Sequence, residues 1–131
     1  MSVQVHIVDG PIGAAAERAD STNQGAAGAV VVFDGVVREM EDGKRLAGLT
    51  YEAYEPMASR ELLRLAEDVA AKHDLIGLAC RHSRGFVGVG ECSMRVVVRS
   101  AHRTAALVAM GEFIDRLKKD VPIWKSPVWA A

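Results

Sequence analysis

Three segments in the first half of the chain have the pattern of strands: residues 2–8 alternate between polar and apolar side chains, residues 28–38 are mostly apolar and β-branched, and residues 46–54 alternate again. A strand turns successive side chains to opposite faces, so the alternation predicts two strands with one buried face each, and the apolar run predicts a central strand. Gly35 interrupts the second segment and predicts a β-bulge or a close approach by another part of the chain. Only the polar stretch 39–44 separates the second and third segments, which predicts that they pair as a hairpin.

Apolar residues recur at helical spacing in two longer segments. The first begins at Pro56 and ends near His73 and Asp74. Its apolar stripe consists of Leu62, Leu65, Ala66 and Val69. The second follows Ser100, a residue type that caps helices. Its stripe consists of Leu107, Met110, Ile114 and Leu117. A shorter helix is expected from Pro11 to about Ala19, with Asp9 as its cap.

Two further strands are predicted over residues 75–82 and 91–99, with a glycine-rich connection at 84–90 between them. The complete predicted order is β, α, β, β, α, β, β, α, without a linker or an internal repeat. Such an order is typical of a two-layer α+β domain, with a mainly antiparallel sheet and helices packed on one face. We therefore expect residues 1–131 to form a single domain.

Composition excludes several classes of function. The chain is 50% hydrophobic and 25% charged with a formal net charge of -1, so it has no general attraction for nucleic acid or an anionic membrane. No apolar run is long enough to cross a bilayer and no leader is recognisable at the start, which predicts a cytoplasmic protein. Cys80 and Cys92 lack metal-site spacing and are expected to be buried free thiols. No P-loop, GxGxxG or zinc motif is present, so no cofactor is expected.

Basic residues flank the predicted final helix at both ends. Arg99, His102 and Arg103 surround its N-terminus, where free amides and the helix dipole favour an anion. Lys118 and Lys119 lie near its C-terminus, where cations offset the dipole. On this pattern alone, an anion site and a solvated surface both remain open.

Lys125 differs from an ordinary surface lysine because it follows Pro122 and the apolar pair Ile123 and Trp124. We expect that pair to anchor the turn and to hold Lys125 in a defined place. A fixed lysine can hold an anion or act as a base or nucleophile. Arg38, at the end of a predicted strand, is a further candidate cation. Three acidic residues lie in or near the predicted strands: Asp34, Glu52 and Glu55. We expect them to cap helices, to form ion pairs or to orient basic groups.

Five stretches, taken in order, resemble one known family: GAVVVFDGVVRE, LTYEAYEPMA, HSRGFVGVGE, VVVRSAHRTAA and IDRLKKDVPIWK. The family is that of the large, catalytic subunit of molybdopterin synthase, also called the MoaE family. The resemblance extends from about residue 28 to residue 125, and the combination of SAHR and VPIWK is its most specific part. It implies an α/β hammerhead fold with an added antiparallel sheet.

The resemblance also implies a reaction, a sulfur transfer in molybdenum cofactor biosynthesis. Cyclic pyranopterin monophosphate would receive two sulfurs and become the molybdopterin dithiolene. The sulfur would arrive as a thiocarboxylate on the C-terminal Gly-Gly of a small ubiquitin-like subunit. Large subunits of the family form a homodimer within a heterotetramer. This chain ends in VWAA, so it is not expected to be the carrier.

By the same resemblance, Lys118 and Lys125 match the active-site lysines, and Arg38, His102 and Arg103 match residues that line the substrate pocket. Family members usually continue beyond the final lysine with another charged pair and a tail that can contribute to a neighbouring subunit's pocket. Here SPVWAA follows Lys125, so we expect that contribution to be altered.

Two alternative functions differ in how well they fit the residues. A noncatalytic, small-ligand regulatory domain on a ferredoxin-like sheet would fit the predicted element order, but it would not need Lys125. An RNA-binding sheet is poorly supported, because the chain has three Phe, two Tyr and two Trp and lacks an RNP-like aromatic pair.

Overall fold

The computed structural model describes residues 1–14 and 25–131. Within these ranges the secondary structure consists of seven strands and two helices. The strands are β1 (Ser2–Asp9), β2 (Ala29–Val36), β3 (Met40–Glu41), β4 (Lys44–Ala53), β5 (Gly77–Gly88), β6 (Cys92–Ser100) and β7 (Ile123–Trp129). The helices are α1 (Met57–Lys72) and α2 (Arg103–Asp120). Most of the helix predicted over residues 11–19 lies outside the described residues.

Strand β5 belongs to two sheets and thereby joins the two parts of the fold. Its first part, up to Arg84, pairs in parallel with β1 and antiparallel with β6, and β6 pairs with β2. Its last residues, from Gly85 to Gly88, pair instead with β4, which also pairs with β7. Gly85 has a φ of +87°, a conformation that glycine adopts at low cost. The change of partner at Gly85 therefore sets the corner between the sheets.

Both helices cover the same face of the first sheet, which confirms the expected two-layer α+β architecture with a mainly antiparallel sheet. The predicted stripe of α1 is buried in full. In α2 the buried residues are Ala106, Ala109, Met110, Phe113 and Leu117. Leu107 is 58% exposed, so its placement in the stripe was wrong. The small side chains of Ala106 and Ala109 occupy the contact surface in its place.

The predicted hairpin between the second and third strands was wrong. Strand β2 pairs with β6, whereas β4 forms its tight hairpin with the two-residue strand β3. Asp42 and Gly43 connect β3 to β4 with φ values of 52° and 74°. Two successive positive φ values are typical of the type I′ turn, which Asp-Gly favours. The polar stretch 39–44 therefore contains its own hairpin.

Three further boundaries differ from the sequence prediction. Residues 84–88 continue β5, so the glycine-rich connection is reduced to a tight turn before β6. Ser100 does not cap α2; it is the last residue of β6, and its hydroxyl donates to the carbonyl of His102. Strand β7 was not predicted. It contains Pro127, which is tolerated because, among the described residues, β7 pairs with β4 alone and is thus an edge strand.

Glu112 on α2 connects the two helices through an ionic cluster. One carboxylate oxygen lies 3.0 Å from both Lys72 Nζ and His73 Nε2, and the other lies 3.1 Å from Arg116 Nη1. The hydrogen bonds from His73 and Lys72 lower the pKa of Glu112 from 4.5 to about 2. The ionised carboxylate is therefore the form that the folded state favours.

We expect Glu112→Gln to lower the free energy of unfolding by about 1 kcal/mol at neutral pH, since partly exposed ion pairs contribute little individually. A depressed folded-state pKa stabilises the protein above the unfolded value, so the difference should shrink as the pH falls from 4.5 towards about 2. Urea unfolding at several pH values measures it, with Glu67→Gln on the exposed side of α1 as the control. Equal stability of Glu112→Gln and wild type at neutral pH would contradict the prediction.

Candidate functional site

A cleft of about 540 Å³ lies where the two sheets meet. Its walls come from the end of β2 and the following loop, from β4 and β6, from the last turn of α2 and from the start of β7. Val37, Leu46 and Leu49 form part of its apolar base, in a small core cluster that is separate from the main one. The cleft therefore combines apolar residues with a small number of polar groups, as ligand sites commonly do.

Three cationic side chains line this cleft: Arg38, Lys118 and Lys125. All three residues are exposed, and none forms an ion pair with a residue in the described part of the chain. Cations that have no carboxylate partner are available to an anionic ligand, which would gain charge-assisted hydrogen bonds from them. The cleft is thus suited to bind an anion.

The elements on either side of Pro122 bring the two lysines to one cleft, as the sequence predicted. Lys118 lies in the last turn of α2, and Lys125 lies on β7 opposite Tyr51 of β4. Directly paired residues of neighbouring strands share a face, so Lys125 and Tyr51 project to the same side. The pairing of β7 with β4, rather than a turn alone, determines the position of Lys125.

The predicted Ile-Trp anchor was half wrong. Ile123 packs against the main core, but Trp124 is 58% exposed. Trp124 pairs with Glu52 of β4. Because Trp124 and Lys125 are adjacent on β7, their side chains project to opposite faces of the strand. The backbone pairing of β7 with β4 therefore holds this segment in place, as the exposed Trp124 does not.

His102 and Arg103 lie at the other end of α2 and do not line the cleft of their own chain. Arg103 is the first residue of α2 and Lys118 is in its last turn, so the helix separates them by about 22 Å. Both His102 and Arg103 are exposed. Arg99, the third residue of the predicted anion site, is buried within β6. One chain therefore brings together three of the five site residues that the family resemblance implied.

The acidic candidates serve local structure. Asp34 accepts two hydrogen bonds from Arg95, at 2.6 and 3.1 Å, and Arg95 is only 3% exposed. Arg95 also donates to the carbonyl of Gly13 at 2.6 Å, so the pair holds the segment after β1 against the sheet. Glu55 accepts a hydrogen bond of 2.7 Å from the backbone amide of Ser59 in the first turn of α1. The expected ion-pairing and capping roles are confirmed for Asp34 and Glu55.

Three neutral polar residues of the cleft were not singled out from the sequence: Tyr51, His82 and Ser93. The Tyr51 hydroxyl donates to Ser93 Oγ at 3.0 Å, and the rings of Tyr51 and His82 meet edge to face at 5.3 Å. The bulge predicted at Gly35 contributes, because the register shift after Gly35 leaves Ser93 with no directly paired residue on β2, and its hydroxyl donates to the Gly35 carbonyl instead. The alternation of residues 46–54 placed Tyr51 on a face, but it could not indicate which strands that face would meet.

The remaining chemical candidates lie elsewhere. Cys80 is buried and outside any disulfide, as predicted, whereas Cys92 is only partly buried, and neither lines the cleft. Burial raises the pKa of the Cys92 thiol, with a further contribution from the charge of Asp34. Among the described residues, no group of three or more His, Cys, Asp or Glu side chains could hold a metal ion. No helix of the described residues is long and apolar enough to cross a membrane.

Comparison with protein families gives a match to the MoaE protein family over residues 7–120. Among individual proteins, the chain is 42% identical over 103 residues to the molybdopterin synthase catalytic subunit of Bacillus subtilis, a match that covers 79% of this chain and 66% of the relative. It is 41% identical over 102 residues to the human molybdopterin synthase catalytic subunit, covering 78% of this chain and 54% of the relative. The match thus spans between half and two thirds of these two relatives.

Solved structures share the fold. Molybdopterin synthase from Staphylococcus aureus superposes with a TM-score of 0.85 at 35% identity, covering 95% of this chain and 90% of that one. A protein–protein complex of subunits 1 and 2 of the molybdopterin-converting factor from Helicobacter pylori superposes with a TM-score of 0.77 at 26% identity, covering 96% of this chain and 89% of that one. The cleft therefore lies in a fold that both of these proteins contain.

Proposed function

The chain belongs to the MoaE protein family, and on that basis we propose that it is the catalytic subunit of a molybdopterin synthase. In this role it is a sulfurtransferase that converts cyclic pyranopterin monophosphate to the molybdopterin dithiolene. The observation that carries the proposal is the convergence of Arg38, Lys118 and Lys125 on one cleft. Both reactants, a cyclic phosphate and a thiocarboxylate, are anions, so a cleft with several cations that form no ion pair within residues 1–14 and 25–131 suits their joint binding.

In each transfer the thiocarboxylate sulfur forms a bond to a pyranopterin carbon as an oxygen substituent leaves that carbon. The bond from sulfur to the carrier's carbonyl carbon then breaks as water, or a lysine amine that water later displaces, takes the acyl group, which releases the carrier as a carboxylate. We assign Lys118 to holding the thiocarboxylate or the phosphate, because it extends from the helix end at the cleft rim. Lys125 is the better candidate for proton transfer, or for transient attachment of the carrier's carboxyl end, because strand pairing restricts its position. Arg38 binds the phosphate.

The partner in this proposal is a small sulfur-carrier subunit whose C-terminal Gly-Gly bears the thiocarboxylate. The Helicobacter complex of two subunits of the molybdopterin-converting factor supports such a partner for a protein of this fold. The open rim of the cleft suits the entry of an extended peptide tail. The regulatory-domain alternative gains no support, since the relatives are named as catalytic subunits.

A homodimer gives His102 and Arg103 a role that one chain alone does not allow. About 22 Å of helix separates them from Lys118, so they cannot bind the same small substrate within one chain. We assign them to the cleft of a second copy, where the exposed N-terminus of α2 would add cations and free amides next to the phosphate. Each cleft would then combine Arg38, Lys118 and Lys125 of one copy with His102 and Arg103 of the other.

The test is a reconstitution. The purified chain is mixed with a thiocarboxylated small subunit and cyclic pyranopterin monophosphate, and molybdopterin is measured as its fluorescent oxidation product. We expect product only when all three components are present. Absence of product despite a stable complex with the small subunit would overturn the proposed activity.

Arg38→Ala is expected to raise KM for cyclic pyranopterin monophosphate about tenfold with a smaller change in kcat, because it removes a charge-assisted contact to the bound phosphate. Steady-state kinetics at saturating carrier measures the effect. Arg45→Ala is the matched control, since Arg45 is exposed but does not line the cleft. An unchanged KM in Arg38→Ala would remove Arg38 from the substrate site.

A further inference from the structure

The base of the cleft has a polar character opposite to that of its rim. Arg38, Lys118 and Lys125 at the rim are cations with only hydrogen-bond donors to offer. Tyr51, His82 and Ser93, which also line the cleft, are neutral and could in principle donate or accept. Which of the two they offer to a ligand depends on where their hydrogens point, and the surrounding contacts determine this.

The hydroxyl hydrogens of Ser93 and Tyr51 are both committed to protein acceptors. Ser93 Oγ lies 3.3 Å from the carbonyl oxygen of Gly35, and a carbonyl can only accept, so Ser93 donates to it. Ser93 thus has no hydrogen left for Tyr51, and the 3.0 Å bond between them must use the Tyr51 hydrogen. Each of the two hydroxyl oxygens can therefore only accept a hydrogen bond from a ligand.

The hydrogen on His82 Nδ1 is also used in a hydrogen bond within the protein. Its Nδ1 lies 2.8 Å from the carbonyl oxygen of Ser83, so Nδ1 carries a hydrogen. Burial lowers the pKa of His82, which is 6% exposed, and so favours the neutral ring. In a neutral ring with a hydrogen on Nδ1, the other nitrogen, Nε2, is a hydrogen-bond acceptor.

Solvent can reach this acceptor. His82 Nε2 makes no hydrogen bond with any described residue. Among the described residues, every buried side-chain nitrogen or oxygen has a hydrogen-bond partner, so Nε2 is not one of the buried atoms. Nε2 is therefore not fully enclosed, and the cleft is the space that His82 lines. The edge-to-face contact with the Tyr51 ring holds the imidazole in place.

We propose that Tyr51, His82 and Ser93 form a donor-reading subsite, in which His82 Nε2 is the main acceptor for N–H groups of the aminopyrimidinone ring of the substrate. This rests on the proposed function and assigns an orientation to its substrate, with the anionic end at the cationic rim and the N–H edge at the neutral base. A ring that presents an acceptor in place of the amino group would leave Nε2 facing a lone pair and would bind more weakly.

Fluorescence titration with two matched probes tests the subsite without the sulfur carrier. Pterin-6-carboxylate has an amino group at C2, and lumazine-6-carboxylate has a carbonyl oxygen there. We expect wild type to prefer the pterin about tenfold. His82→Asn, whose amide can still donate to the Ser83 carbonyl but has no atom at the Nε2 position, should reduce the preference to within about twofold. Arg38→Ala should weaken both probes equally and keep the preference.

A preference that persists in His82→Asn, or a wild type that binds neither probe, would overturn the subsite. If His82→Asn melts below wild type, the preference between the two probes is measured in Tyr51→Phe instead, because this variant keeps the ring contact and removes one acceptor. We expect its preference to fall about threefold, and an unchanged value would overturn the proposal. A wild type that discriminates between the probes but forms no molybdopterin would contradict the proposed activity instead, so the two failures are distinguishable.

Discussion

Lys125→Ala is expected to lose sulfur transfer by about 100-fold to 10,000-fold while melting at the wild-type temperature, because a positioned proton-transfer group contributes a factor of that size. The side chain is exposed on edge strand β7, and alanine leaves the backbone pairing with Tyr51 intact. The loss should therefore appear in kcat and not in stability. Single-turnover formation of molybdopterin, together with a thermal melt, measures both quantities.

Two further variants make this prediction specific. Lys119→Ala removes a neighbouring exposed lysine that does not line the cleft, so it should retain wild-type turnover. Lys125→Arg keeps the positive charge but replaces the amine with a guanidinium that does not deprotonate in proteins. We expect Lys125→Arg to remain inactive if Lys125 transfers a proton or attaches the carrier. Near-normal turnover in Lys125→Ala would contradict the catalytic assignment. Near-normal turnover in Lys125→Arg, with Lys125→Ala inactive, would show that Lys125 binds an anion and does not transfer a proton or attach the carrier.

Mixed dimers of Arg103→Ala and Lys125→Ala chains are expected to recover activity that neither variant shows alone. If each cleft uses Lys125 of one copy and Arg103 of the other, a mixed dimer has one cleft with both residues intact and one with neither. Random mixing of equal amounts makes half of the dimers mixed. For a symmetric dimer, the expected recovery is therefore about a quarter of wild-type activity in the unsorted mixture and about half in isolated mixed dimers.

The experiment uses co-expressed chains with two different affinity tags, so that mixed dimers can be isolated before the assay. A mixture of Lys118→Ala and Lys125→Ala chains is the matched control. Both lysines line the same cleft of one chain, so no combination of those two chains produces an intact cleft. Isolated mixed dimers of Arg103→Ala and Lys125→Ala that stay inactive would show that Arg103 does not serve the second copy's cleft.

The sequence by itself determined the elements whose pattern is local. The helical spacing of Leu62, Leu65, Ala66 and Val69 gave α1 its buried face, because a 3.6-residue period is a property of the helix alone. The strand-interrupting Gly35 likewise indicated the bulge, and the apolar runs indicated β5 and β6. The order of motifs was specific enough to identify the family, and it marked Arg38, Lys118 and Lys125 as candidate site residues before they were known to line one cleft.

Only the tertiary structure decided which strands are neighbours and hence which side chains share the cleft. Pairing depends on contacts between residues far apart in the chain, so it placed β2 beside β6 and gave β4 the unpredicted partner β7. Tyr51, His82 and Ser93 meet at the base of the cleft because three strands converge there, which no local pattern encodes. The rigid length of α2 likewise separates Arg103 from Lys118, although the motif treats them as parts of one site.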